Sequence, residues 1–470
     1  MIVLAGQAMA TMDGSIITVA APSLRSSLHA SGAELQLVVA IYTMAFAATV
    51  VTGARLGGIL GHRRAFMGGL AGFTLASLVG GLAPNPSVLI AARALQGAAA
   101  ALMTAQVLSI IQVQFEGERR ARAIGAYSMI LAVGVAAGQV LGGLLLTAHL
   151  TAAPWRPALL LNAPLGVLLM AGSLRALPHT DPTGGQRLDL GGVALLAAAL
   201  LAVVAPLSLG REYGWPAWIW PCLGAFALAA AAFVARERRL TARHGRPVLE
   251  LGLLRIPGLA AGMAAVLLIM ACYSGFLLSL TLHLQSALRF SPLHAGLIFA
   301  TYATGFATAS LTWARFGAGA RSRLPIIGPL VMGGALLAVG LAASGGRWPL
   351  GLSSSLLFAA GAGHAWGFSP LANRLTTLVR PAQAADLSGL VLTADFVGMV
   401  LGAAGFAGLY LSAAPDGSAR ALAITTGALA AALLVTAACA RRSLRPAPAP
   451  SQSGTVLRVP LRGRGNLRRS

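Results

Sequence analysis

Not one of the 470 residues is lysine, and only 12 are acidic. Soluble domains carry roughly 25% charged residues, whereas this chain carries 10%, which excludes a surface solvated in the usual way. Cysteine is scarce as well. Cys222, Cys272 and Cys439 all fall in apolar stretches, with neither metal-ligand spacing nor a disulfide framework. They read as small buried hydrophobes. Enzyme signatures are missing: there is no HExxH, no GxSxG, no Walker loop and no pair of carboxylates one helical turn apart. The missing phosphate-binding loop argues against an ATP-driven pump. The chain therefore reads as a non-enzyme with no cofactor and no metal. Nothing basic precedes the first apolar run, so that run reads as a retained helix rather than a cleaved leader.

What is present is apolar. Hydrophobic residues make up 57% of the chain, and the mean hydropathy is +0.78. A span needs roughly 20 such residues. Fourteen stretches qualify, at about 1–21, 35–54, 65–83, 87–112, 121–147, 156–175, 188–209, 216–235, 257–282, 293–314, 324–343, 348–372, 388–412 and 418–440. The chain reads as an all-α polytopic membrane protein.

The 34 basic residues, all arginine, test that count. With the N-terminus in the cytoplasm, 27 fall in inside loops or the tail, 6 fall outside, and Arg93 alone is embedded. This asymmetry predicts both termini inside a plasma membrane. It reflects topology rather than a phosphate groove, so the net charge of +22 does not point to nucleic acid. The cytoplasmic arginines would face anionic lipid head groups. A lysine-free chain rich in Ala, Gly and Arg fits a GC-rich bacterial genome.

Two short matches recur at one offset of 260 residues: ARLGGILGHRR (54–64) with ARFGAGARSRL (314–324), and VAAGQVLGG (135–143) with DFVGMVLGA (395–403). They predict two related six-helix halves, 1–176 and 257–440, with two inserted helices and flanking loops at 177–256. A basic tail follows at 441–470, rich in Pro, Gly, Ser and Arg, and it reads as disordered. Parallel halves with a substrate path between them are a transporter architecture.

Two acids, Asp13 and Asp395, and one base, Arg93, look embedded, away from the ends of their apolar stretches. A charge at mid-bilayer costs at least ~2.5–3.5 kcal/mol, so such residues face the protein interior or water. Low dielectric disfavours a charged carboxylate and a nearby arginine favours it. A helix movement that changes this balance can release a proton on one side and take one up on the other. Asp13 is the stronger coupling candidate, with Arg93 tuning it. Asp395, seven residues into its stretch, is expected near the cytoplasmic mouth. A fixed Asp13–Arg93 ion pair that only orders the bundle is the plain alternative. Gly134, Gly138 and Gly142 share one helix face, as do Gly398 and Gly402. They allow close backbone approach, either as static packing or as a sliding surface against the other half. Gln96, Gln139, Tyr273, Tyr302 and His364 are the candidates to line a cavity.

These stretches resemble the major facilitator superfamily, and more closely its fourteen-helix drug:proton antiporters. MDGSIITVAAPSL (12–24) resembles the first-helix signature, with Asp13 at its acid. GARLGGILGHRR (53–64) resembles the loop 2–3 signature through Gly57, Gly61, Arg63 and Arg64. AARALQGAAAALM (91–103) resembles the fourth-helix signature, GVAAGQVLGG (134–143) the antiporter signature and WRPALLLNAPLGV (155–167) the stretch opening helix 6. The loop signature usually has an acid where this chain has Gly58 and a base at Ile59. That acid is thought to latch the halves, so the latch is in question here. Gln139 stands where proline is usual. The resemblance implies a proton-coupled, monomeric exporter of hydrophobic, cationic or amphipathic compounds working by alternating access. A carrier of one metabolite and a non-transporting sensor or scaffold stay open.

Overall fold

A computed structural model describes residues 2–30, 32–148, 151, 153–177, 189–209, 216–242, 251–343, 348–380 and 383–444. The expected tail therefore lies almost wholly outside the described residues, as does the side chain of Gln139. The described residues are helical, with no strand among them: α1 (Ile2–Leu28), α2 (Gly32–Leu60), α3 (His62–Gly81), α4 (Pro86–Gln114), α5 (Gly117–Thr147), α6 (Arg156–Leu160), α7 (Asn162–Ala176), α8 (Leu190–Leu209), α9 (Ile219–Ala242), α10 (Leu259–Leu282), α11 (Pro292–Thr312), α12 (Ala318–Ala343), α13 (Leu350–Leu378), α14 (Ala384–Ala413) and α15 (Ser418–Ser443). Among them nine helical segments, α6 and α7 counted as one, are long and apolar enough to cross a bilayer.

Local chemistry sets the boundaries. Asn85 accepts a hydrogen bond from the Val88 amide at 3.0 Å, and Pro86 opens α4. Ser291 accepts one from the His294 amide at 3.2 Å, and Pro292 opens α11. In both cases a side-chain acceptor satisfies an orphan amide, and proline sits where no amide is needed. Gly61 joins α2 to α3 at φ 87°, a conformation in which a side chain is strained. The α6–α7 break follows from Pro164, which has no N–H to offer the Leu160 carbonyl.

The packing partners repeat. In the first group α1 lies along α5, α2 along α4 and α3 along α4; in the second α10 lies along α14, α11 along α13 and α12 along α13. The pairs correspond in chain order. The groups meet where α5 packs on α11 and α2 on α14. α8 and α9 pack on each other, and α8 leans on both α2 and α14 through Val203 against Met44, Ala47 and Val400. At the loop end of this pair Arg236 grips Asp189 at 2.7 and 3.0 Å, which holds the Asp189 carboxyl below the usual carboxylate range.

The glycine faces turn inward within each group, which corrects the sliding-surface expectation. A Cβ at Gly138 would strike the Met12 carbonyl on α1, and one at Gly134 would press on Thr11. Gly398 and Gly402 stand in the same relation to Leu267 and Ala271 on α10. Contact between the groups at α5 is made by Gly125 against the Ser310 carbonyl on α11. The periodicity marked a close-packed face correctly but could not say which neighbour it met.

Candidate functional site

A cavity of about 400 Å³ lies where the two groups meet. Thr11, Tyr42, Arg93 and Tyr127 line it from α1, α2, α4 and α5, and Tyr273, Tyr302, His364 and Asp395 from α10, α11, α13 and α14. A second space of about 500 Å³ opens sideways between α11 and α13, lined by Thr301, Thr304, Ser354 and Phe358 with no charged group. The inner cavity, lined by Arg93 and Asp395, is the candidate site.

Asp13 does not line that cavity. It sits behind Arg93, fully buried, within a set of side chains that satisfy it. Arg93 Nη1 donates to Asp13 Oδ2 and, at 2.7 Å, to Gln96 Oε1. Oδ1 accepts from Gln96 Nε2 at 2.9 Å and from Asn162 Nδ2 at 2.7 Å. Ser77 Oγ accepts 2.9 Å bonds from both amides and donates to the Leu159 carbonyl at 3.1 Å. The break before α7 is what frees Asn162 to reach this cluster. Gln96, expected to line the cavity, belongs here instead. Neither Ser77 nor Asn162 was singled out from sequence. For Asn162 the signal was its place in the stretch opening helix 6, and for Ser77 there was none.

Arg93 connects this cluster to the cavity. Its Nε and Nη2 are buried without partners, and its guanidinium lies 4.4 Å from the Tyr42 ring centroid. Such stacking is favourable for a guanidinium. Thr104 Oγ1 and Gln7 Oε1, also on the wall, are unpartnered too.

Asp395 differs from Asp13. It is 6% exposed, lines the cavity, and its Oδ1 has no partner. The expectation that it lies near a mouth fails because α14 begins at Ala384, earlier than hydropathy alone placed it. That puts Asp395 three turns deep. The helix start was hidden by Asp386, which hydropathy reads as loop.

Toward one end of the cavity the groups touch repeatedly. Phe46 and Phe396, both on the cavity wall, stack with centroids 3.9 Å apart. Farther along, Arg55 pairs with Asp386 at 3.1 Å. Ser109 donates to Ser388 at 3.0 Å. The loop 2–3 region contributes at this end. Arg63 donates to the Leu174 carbonyl at 2.7 Å, and His62 shares a 3.0 Å hydrogen bond with Gln106, whose amide reaches the Gly53 carbonyl at 2.7 Å. Gly57 leaves the room that Gln106 and His62 occupy. Arg64 stands exposed beside them.

The family model described as Major Facilitator Superfamily matches residues 3–403. The chain is 38% identical over 413 residues to the cephamycin export protein CmcT of Amycolatopsis lactamdurans, covering 84% of this chain and 81% of that protein. It is 34% identical over 415 residues to the puromycin resistance protein pur8 of Streptomyces alboniger, covering 86% and 79%. It is 39% identical over 296 residues to a probable actinorhodin transporter of Streptomyces coelicolor, covering 63% of this chain and about half, 51%, of that protein. Among solved structures, the human organic anion transporter MFSD10 shares the fold at a TM-score of 0.65 and 17% identity, over 93% of this chain and 98% of that one.

Proposed function

Because the chain belongs to the major facilitator superfamily, we propose that it exports hydrophobic, cationic or amphipathic organic compounds in exchange for protons, through one cavity exposed alternately to each side of the membrane. It is a multi-pass membrane transporter, not an enzyme, and its curated relatives include antibiotic and multidrug exporters. In this reading α1, α3, α8, α11 and α13 complete the nine apolar segments to fourteen spans. The halves are 1–176 and 257–440, the insertion is 177–256, and the tail is 441–470. The arginine-rich ends face the cytoplasm of a bacterial cell, near anionic lipid, and the monomer is the working unit.

One observation carries the reading: a buried carboxyl, Asp395, faces the central cavity with an oxygen unpartnered. In a dry cavity a carboxylate is tolerable when a cation faces it, and otherwise when it holds a proton. Proton and organic cation thus compete for one group. A proton entering from outside displaces the cation, and proton release to the cytoplasm prepares Asp395 for the next. Asp13 and Arg93 take a second role. A proton on Asp13 weakens its hold on Arg93, whose free nitrogens then turn further toward the cavity, so protonation and helix position are linked.

The test is proton flux in inverted, acid-loaded membrane vesicles challenged with lipophilic dyes and antibiotics. The wild type is expected to dissipate the gradient when a substrate is added, and Asp395→Asn is expected to lose that response. A response lost only in Asp13→Asn would move the coupling role to Asp13. Undiminished responses in both variants would remove proton coupling through these acids.

A further inference from the structure

The wall of the cavity opposite Arg93 is aromatic, and the coupling scheme leaves it unused. His364 on α13 is 3% exposed, its Nδ1 lies 2.9 Å from the Tyr302 hydroxyl, and its Nε2 has no partner. The imidazole centroid lies 5.1 Å from that of Tyr273 and 4.6 Å from that of Phe306. Tyr273, Phe299 and Tyr302 lie 5.3 to 6.5 Å from one another. All five line the cavity. Rings at these separations present π-faces that favour a further flat ring. A buried nitrogen left without a partner is costly, and a ligand that supplies one removes the cost. None of the five residues is an acid, a lysine or an arginine, so this wall selects shape and one hydrogen bond rather than charge.

We propose that this wall is a subsite for a planar, polycyclic aromatic compound whose hydroxyl or carbonyl edge hydrogen-bonds Nε2 of His364. The proposal rests on the exporter reading and names the substrate class of its cavity. If the Tyr302 hydroxyl donates to Nδ1, Nε2 carries the proton and takes a carbonyl; if it accepts, Nε2 takes a hydroxyl.

The probe is 2,6-dihydroxyanthraquinone, which offers both groups free; dodecyltrimethylammonium is the aliphatic cation for comparison. Binding to the intact 470-residue chain in detergent and transport in inverted membrane vesicles are measured for each. His364→Phe keeps a ring and removes the hydrogen bond. It is expected to weaken anthraquinone binding roughly five- to tenfold while the aliphatic cation stays within about twofold. Tyr273→Leu, which leaves the His364–Tyr302 bond in place, tests the stacking face separately and is expected to act with the same selectivity. Equal losses for both probes, or an unchanged anthraquinone affinity in both variants, would overturn the subsite. Wild-type export of the aliphatic cation alone would overturn the subsite and leave the exporter standing. Export of neither would overturn both.

Discussion

At the scale of single residues, two acids that look alike in the sequence have opposite surroundings. Asp13 has three donors, one of them a cation; Asp395 has an unpartnered oxygen on a cavity wall. Breaking a buried pair strands the remaining charge, which costs about 3–5 kcal/mol. Asp13→Asn is therefore expected to lower the thermal midpoint of the detergent-purified protein sharply, with Asp13→Asn plus Arg93→Gln recovering part of the loss. Equal midpoints for wild type and Asp13→Asn would show that the pair contributes little to the fold. His62, at the loop end of α3, gives a pH signature. Burial holds its imidazole below the ordinary value of 6.5, against the opposing hydrogen bond to Gln106. As pH falls below 6.5 the unfolded chain takes up the proton first, so stability declines with acid. The midpoint of the wild type should drop between about pH 7.5 and about pH 5.5, and His62→Gln should show a smaller drop.

Among the helices, the glycine faces bind α5 to α1 and α14 to α10. Overpacking a tight contact costs about 1–3 kcal/mol, so Gly138→Ala and Gly398→Ala should each destabilise, whereas Gly405→Ala, with open space beside it, should not. Thermal midpoints of the three variants decide this. The all-helical, membrane-spanning character was legible from hydropathy, because a bilayer imposes the length of its apolar stretches directly on sequence. The Asp13–Arg93 contact was legible too, since two opposite charges buried in neighbouring helices have few other ways to be satisfied. Asn162, Ser77 and the depth of Asp395 were not. Each depends on a helix break or a helix start set by one backbone group, and composition averages over such details. The partner of the glycine faces was hidden for a related reason: periodicity describes one helix and says nothing about its neighbour.

For the whole molecule, closure at the arginine-rich end has a charge arrangement different from the one the loop signature implies. Gly58 removes the usual acid, yet Asp386 in the first turn of α14 meets Arg55 from the other group. A partly exposed pair of this kind contributes about 1 kcal/mol. Asp386→Asn should accelerate labelling of Leu392→Cys by an impermeant maleimide from the cytoplasmic side severalfold, in a background where the three native cysteines are replaced by alanine. Exchanging the two charges, Arg55→Asp with Asp386→Arg, should restore the slow rate, and failure to restore it would assign closure to other contacts. On the cavity wall the Phe46–Phe396 stack joins the two groups, and its consequence is electrical. Moving one charge across a membrane held at 100 mV releases about 2.3 kcal/mol, so a continuous thread of water through each copy would short-circuit the cell. Apolar constrictions shed water, and two rings closing face to face act as insulation. A cell can then carry many idle copies at no cost to its resting voltage. Cells expressing Phe46→Ala with Phe396→Ala should instead show a depolarised signal with a voltage-sensitive dye, in proportion to the number of copies they carry.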